Sequence, residues 1–296
     1  MTSVAIAPPP AAAAPAPTLR AWLAGTVRRH PTAIAGGIVL LLMVLIAVVA
    51  PWLGTMDPLQ VVPTRRLKPP SEQFWFGTDM LGRDVYSRVV FGSRVSLTVG
   101  LAVAVIATTV GLAIGLVTGF LRRVDAVVMR VMDGLMSIPP VLLAIALIAL
   151  TKASLGNVVF AIAISEVPRV VRLVRSLVLT LREQPYVEAA IASGTRLPRI
   201  LIRHILPNTM APLLVQATYI CASAMITEAI LSFIGAGTPP DIPSWGNIMA
   251  ESRSLIQIRP SLLVFPGLFL SLTVLSVNLL GDGMRDALDP RLARRM

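Results

Sequence analysis

The sequence predicts an all-α polytopic membrane protein with six transmembrane helices. Its composition predicts this first: 55% of the 296 residues are hydrophobic and only 14% are charged, against roughly 25% charged in a soluble domain. Mean hydropathy is correspondingly high, at +0.78. The apolar excess is also concentrated. Residues 31–56, 95–121 and 260–281 contain no Asp, Glu, Lys or Arg, and each run exceeds the ~18 apolar residues that mark a membrane span.

Residues 1–18 are mostly Ala and Pro, a composition that cannot bury a core, so a disordered cytoplasmic tail is expected. They carry neither the basic nor the apolar region of a signal peptide. The first span follows Arg28, Arg29 and His30 and covers about 31–53. Residues 54–92 are Pro-rich and then mix Phe74, Trp75, Phe76 and Tyr86 with charges, as an extracytoplasmic amphipathic segment does at headgroup level. The remaining spans are expected at about 93–121, 126–150, 155–176, 210–234 and 260–282. The one at 155–176 has the shortest uncharged run. It is retained because an even number of spans keeps both basic ends on one side, and its arginines can snorkel or face protein. Residues 285–296 form a cytoplasmic C-terminal tail. With both ends inside, seventeen of the 26 Lys and Arg fall in cytoplasmic segments and nine outside, the bias of the positive-inside rule.

Composition also excludes functions. One cysteine, Cys221, allows no internal disulfide or cysteine-based zinc site, and His30 and His204 lie too far apart for a recognisable ligand pair. No metal site is expected. The only lysines, Lys68 and Lys152, sit in no phosphate-binding loop, so ATP cannot be hydrolysed here by a Walker-type site. No catalytic residue is assigned. The net charge of +11 reflects cytoplasmic arginine, and no nucleic-acid partner is expected.

Several motifs stand out inside the spans. Gly111, Gly115 and Gly119, with Ala107 a step earlier, recur every four residues and line one helix stripe that admits a close neighbour, although glycine is common in membrane helices. Pro139-Pro140 interrupts the third span, so a kink or break is expected. Irregular backbone there is tolerated only where protein or a water cavity receives it, so packing and pathway-lining remain equal readings. Asp133 and Ser137 lie on one face just before it. Glu166, mid-span, and Glu228, farther outward, are costly in lipid and need partners, with Arg169 at i+3 the nearest for Glu166. They read either as proton-relay or substrate groups, or more simply as paired charges.

The segment 182–209, REQPYVEAAIASGTRLPRILIRHILPNT, is too polar to span. It reads as helix, a Ser193-Gly194 turn, a second helix and Pro207, on the cytoplasmic side between spans four and five. As a plain solvated loop it would expose Val187, Ala189, Ala190 and Ile191 without reason, so it is expected to contact something.

Here the sequence resembles a family. Glu188-Ala189-Ala190, three residues, Gly194, and then Leu206-Pro207 after the family's spacing are similar to the EAA loop of ABC importer permeases. His204 stands where that pattern has isoleucine, and Glu166-Val167 replaces an aromatic step in the fourth span. The stretches FGTDMLGRDVYSRVVFGSRVSLTVG (76–100), DGLMSIPPVLLAIAL (133–147), EAILSFIGAGTPPDIPSWGNIMAESR (228–253) and NLLGDGMRDALDPR (278–291) resemble the C-type permease of dipeptide and oligopeptide importers. The likeness covers about residues 20–292.

The resemblance implies a type I ABC importer permease fold, with an N-terminal span and outer segment over 19–92 and a permease core over 93–284. It implies a bacterial cytoplasmic (inner) membrane location, a homologous second permease in a heterodimer, cytoplasmic ABC ATPases holding ATP and magnesium, and an extracytoplasmic binding protein, besides membrane lipid. This chain itself would hold no cofactor. Peptide import is the function implied; nickel, haem or glutathione-type substrates share the motifs. ATPase-coupling candidates are Tyr186, Glu188, Ala189, Ala190, Gly194, His204 and Pro207. Pathway candidates are Asp133, Ser137, Pro139, Pro140, Glu166 and Glu228, and Asp79, Arg83, Asp84 and Trp245 are expected to face the binding protein. A proton-coupled secondary transporter using Glu166, Glu228 and Asp133 is the rival, but inverted repeats should then give internal symmetry, and the EAA loop occurs once.

Overall fold

The computed structural model describes residues 31–152 and 154–288; the expected tail over 1–18 lies outside them, as do residues 289–296. The longer helices, in order, are α1 (Pro31–Val49), α2 (Val85–Phe120), α3 (Arg122–Met136), α4 (Pro140–Ala149), α5 (Leu155–Leu181), α6 (Pro185–Ala192), α7 (Leu197–Ile200), α8 (Leu206–Phe233), α9 (Trp245–Ser252) and α10 (Ser261–Leu288). A π turn over Leu201–Ile205 joins α7 to α8. Among the described residues there is no strand, only an isolated bridge between Thr78 and Asp84.

Four stretches are long and apolar enough to cross a membrane: Pro31–Trp52, Val85–Phe120, Leu197–Phe233 and Ser261–Ala287. The third expected span is split into α3 and α4, bent by 91°, and counts as a fifth crossing if the pair is one span. The fourth is α5, whose 27 residues reach about 40 Å at 1.5 Å per residue. It carries Glu166, Arg169, Arg172 and Arg175 and is carried by packing rather than by composition. The second span starts earlier than expected. Asp84 caps α2 by accepting the Ser87 N–H at 2.8 Å, so the helix extends 36 residues, eight of them from the stretch expected to lie outside the membrane.

Close packing decides the arrangement. A Cβ on Gly111, Gly115 or Gly119 would stand 2.5, 2.6 or 2.5 Å from the Cβ of Val170, Val174 or Val178. The two stripes therefore interlock in ascending order, and α2 and α5 run parallel. Around them Val99, Val103, Ala107, Ile162, Val171 and Ile220 form the main core. On the other side, Gly36 of α1 meets Leu279 of α10, and Ala33 meets Gly283, so these helices are antiparallel. Thr218 meets Gly281, while Ala222 and Met225 join Val277 in one cluster, so α8 opposes α10 as well. The start of α1, the ends of α2, α5 and α10 and the start of α8 thus share one end of the molecule with α6. The segments 54–84 and 235–260 share the other.

The arginine of a span does structural work here. Arg94 of α2 donates through Nη2 to the Val48 carbonyl at 3.0 Å and through Nε to that of Ala47, carbonyls that the end of α1 leaves open.

Candidate functional site

The end of the molecule shared by the start of α1 and the end of α10 presents α6. Gln184 precedes it in extended conformation and Pro185 occupies its first turn, where no amide partner is lost. Gly194 ends it at φ +74. The Gly194 N–H donates to Ile191 at 2.9 Å and the Thr195 N–H to Ala190 at 3.0 Å, the paired bonds of a glycine-terminated helix. Val187 is fully buried and pins the helix to the core. Tyr186 and Ile191, at 43% and 49% exposure, with exposed Glu188, Ala189 and Gly194, leave a face that is open among the described residues. Ala190 is half-buried. The Asn208 amide donates to Tyr186 Oη at 3.3 Å and to the His204 carbonyl at 2.7 Å, and the Tyr186 and His204 rings lie 6.3 Å apart. Tyr186, His204 and Pro207, which opens α8, are thereby gathered beside α6.

Along α5 lies a set of charges. Arg169 donates to Glu166 at 2.8 Å, and Ser223 of α8 donates to the same carboxylate at 3.3 Å. Arg172 pairs with Asp133 at 2.7 Å, and Arg175 with Asp125 through Nη2 at 2.7 Å. The kink expected at Pro139-Pro140 is a near right-angle elbow. Pro139 at φ −52, ψ 132 is extended, which ends α3, while Pro140 starts α4, both exposed. Ser137 turns its hydroxyl back to Gly134 at 2.7 Å. Asp133, Ser137, Pro139, Pro140 and Glu166 thus come together; Glu228 does not. It is fully buried nearer the other end, accepting from Ser232 at 2.8 Å and Thr238 at 3.2 Å.

The opposite end corrects an expectation. Asp79, Arg83 and Asp84 are 6–7% exposed and Trp245 is 0% exposed, so none presents a side chain to a partner. Trp245 donates from Nε1 to the Val89 carbonyl at 3.0 Å and packs against Gly92 of α2 and Phe269 of α10. Burial between two spans outweighs the interfacial preference of its ring. Asp79 binds Arg83 at 2.6 Å and Arg88 at 2.8 Å, and Arg88 reaches Glu251 at 2.6 Å. Asp79 also accepts the Leu81 and Arg83 amides. This cluster locks the segment before α2 onto α9. Arg88→Met takes one guanidinium from Asp79 and from Glu251 while Arg83 and two amides still hold Asp79, so thermal unfolding of the purified complex should shift down by about 1.5–3 kcal/mol of stability. Glu251→Gln should cost less, because Glu251 is 29% exposed, and Arg88→Met with Glu251→Leu should cost no more than Arg88→Met alone.

Sequence reasoning did not single out Arg88, Arg94, Asp125 or Glu251, and it gave Arg172 and Arg175 no partner. Only the charge spacing 79/83/88 ahead of an apolar run hinted at a cluster; its partner Glu251 lies 163 residues away.

A bundle of membrane-crossing helices with a short exposed helix inserted between two of them defines an integral membrane component. The sequence comparisons give the particular family. Residues 96–294 match the model of the binding-protein-dependent transport system inner membrane component, and residues 20–70 match the N-terminal TM domain of oligopeptide transport permease C. The chain belongs to this permease family and is a multi-pass membrane protein. It is 57% identical to a probable peptide ABC transporter permease of Sinorhizobium fredii over 90% of this chain and 92% of that one. It is 42% identical to a dipeptide transport system permease of Alkalihalophilus pseudofirmus (90% and 88% covered) and 40% identical to a glutathione transport system permease of Pectobacterium atrosepticum (90% and 89%).

Proposed function

We propose that this chain forms half of the translocation path of an ATP-driven importer of short peptides in the bacterial cytoplasmic membrane, paired with a second, homologous permease. The observation that carries it is α6: a glycine-capped helix with an unpartnered face, covalently tied to α5 and α8. A push on α6 is delivered directly to two core helices. Its occupant would be a cytoplasmic ATPase, which holds the nucleotide and magnesium that this chain has no loop to bind. Relatives named for dipeptide and glutathione transport support a peptide-like substrate, delivered by an extracytoplasmic binding protein at the end formed by 54–84 and 235–260. With its partner subunits in vesicles, the complex should accumulate a radiolabelled dipeptide only with hydrolysable ATP, and uptake should survive a protonophore. Uptake that follows the proton gradient instead sinks this reading.

Both termini are assigned to the cytoplasm, from the charge split, which stays at fourteen to eight once Arg169, Arg172 and Arg175 of α5 and Arg94 of α2 are set aside, and from the shared end of α1, α10 and α6. In a Cys221→Ala background, Gln60→Cys should react with an impermeant thiol reagent in intact cells, and Ser193→Cys should react only after permeabilisation. The reverse pattern inverts the topology.

A further inference from the structure

On α5 the exposed positions change character halfway along. Phe160, in the first half, is 61% exposed. From there on, the outward stripe reads half-buried Ser165, then exposed Arg169, Arg172, Ser176 and Thr180, steps of four and three that keep one helix face. Every residue of it is polar. The exposed faces of the other spans are mostly apolar, as at Leu42 (52%) and Leu101 (63%), and their exposed polar residues, such as Thr98 and Thr109 of α2 and Ser271 of α10, do not form an unbroken run like this one. The side chains of Arg169 and Arg172 are 50% and 51% exposed in the middle of a 27-residue helix. Charge exposed along a packed span is costly against lipid tails, so these side chains must meet water, headgroups or protein. The stripe is flanked by the elbow, whose Asp133 side chain is 60% exposed, and Ser165 donates to the Pro140 carbonyl at 3.3 Å.

We propose that this stripe is the wetted wall of the path and that Arg172, with Arg169 beside it, is a specificity-determining contact for the carboxylate of a passing substrate. This rests on the reading of the chain as half of a translocation path. Arg169 is held by a carboxylate that is itself buried, Glu166 at 3% exposure. Among the described residues Arg172 is held by exposed Asp133 alone, so a substrate carboxylate exchanges with Asp133 at little cost. Exposed pairs of that kind contribute ~0–1 kcal/mol, which lets a substrate bind without being trapped.

The test uses the assembled transporter in nanodiscs, open at both faces, at low salt, with Cys221→Ala as background. Single cysteines replace Ser165, Ser176 and, as the lipid-facing control, Leu42. The probes are two methanethiosulfonates, one carrying a sulfonate and one a trimethylammonium group, with rates normalised to free cysteine. Ser165→Cys and Ser176→Cys should react at least about tenfold faster than Leu42→Cys, since lipid excludes both charged probes. At Ser176→Cys the sulfonate should be favoured roughly fivefold. Adding Arg172→Gln should bring the preference close to unity, and adding Asp133→Asn should raise it. Because that ratio reads the local potential alone, the contact itself is tested on uptake: Arg172→Gln should lower uptake of a dipeptide more than uptake of its C-terminal amide, and an equal loss overturns the contact. Rates no faster than at Leu42→Cys overturn the wetted wall, and a ratio indifferent to Arg172→Gln overturns the carboxylate contact. A preference abolished by anionic lipid assigns the arginines to headgroups and overturns the contact as well. ATP-driven uptake is measured on the same variants reconstituted in sealed proteoliposomes: uptake without labelling rejects only this inference, and labelling without ATP-driven uptake rejects the importer reading instead.

Discussion

Gly115→Leu should prevent recovery of a folded chain. Even a single Cβ at this position would stand 2.6 Å from Val174 Cβ and 3.1 Å from the Val171 carbonyl oxygen, so α2 and α5 must separate or shift in register. Overpacking a well-filled core costs about 1–3 kcal/mol per site when it can relax. Here the obstacle includes helix backbone, and the same approach repeats at Gly111 and Gly119, so relaxation at one site disturbs two others. The expected result is loss of monodisperse complex on size exclusion, with Gly115→Ala showing a graded version as a lower unfolding temperature. Val174→Gly should restore part of what Gly115→Ala loses, because it moves the knob to the other helix, less the ~1 kcal/mol helix penalty of a glycine. Gly134→Ala is the control, since a Cβ there meets no atom within 4 Å. If Gly115→Leu purifies and unfolds like the unsubstituted complex, the interlocked stripes are not what joins these helices.

The second large effect is expected at Gly194, where space is not the obstacle: a Cβ there would also meet nothing within 4 Å. The constraint is φ +74, which costs a side chain roughly 1–2 kcal/mol, asparagine being the usual exception. Gly194→Asn should keep the helix end and most uptake. Gly194→Val should fray it and lower ATP-driven uptake by about tenfold, the equivalent of ~1.4 kcal/mol. Gly194→Arg adds bulk and charge at the exposed face, so ATPase subunits should also fall away during co-purification. Glu188→Ala should be mild, since an exposed charge contributes little alone. Substrate-stimulated ATP turnover and co-purification are the measurements. If Gly194→Arg leaves both intact, α6 is not the coupling element.

The parts of this molecule that periodicity and local chemistry dictate were legible. The long uncharged runs, the four-residue glycine stripe, the Glu166–Arg169 spacing and the glycine that stops α6 all act within a few turns of chain. The start of α2 was legible too, had Asp84 been weighed as a helix cap ahead of an apolar run. What could not be read were the pairings across the bundle. Nothing local tells that Glu251 meets Arg88, or that Asp125 and Asp133 meet Arg175 and Arg172. The size of the Pro139-Pro140 bend also depends on where those pairs hold α3. Trp245 was misplaced for a related reason: an aromatic in a Pro-rich outer loop looks interfacial until the spans that bury it are in position.

The parallel, interlocked pair of α2 and α5 also bears on how the chain is made. Gly115 and Val174 lie 59 positions apart in the sequence, and the elbow is synthesised between them. At ~5–20 residues per second, α2 waits roughly 3–12 seconds in the bilayer before its counterpart emerges from the ribosome. Throughout that interval its small-residue groove is open to any other helix nearby, including that of a neighbouring nascent chain. The groove is thus a close joint of the finished molecule and an open one during biogenesis, and a slow-translating stretch in the elbow would lengthen that exposure.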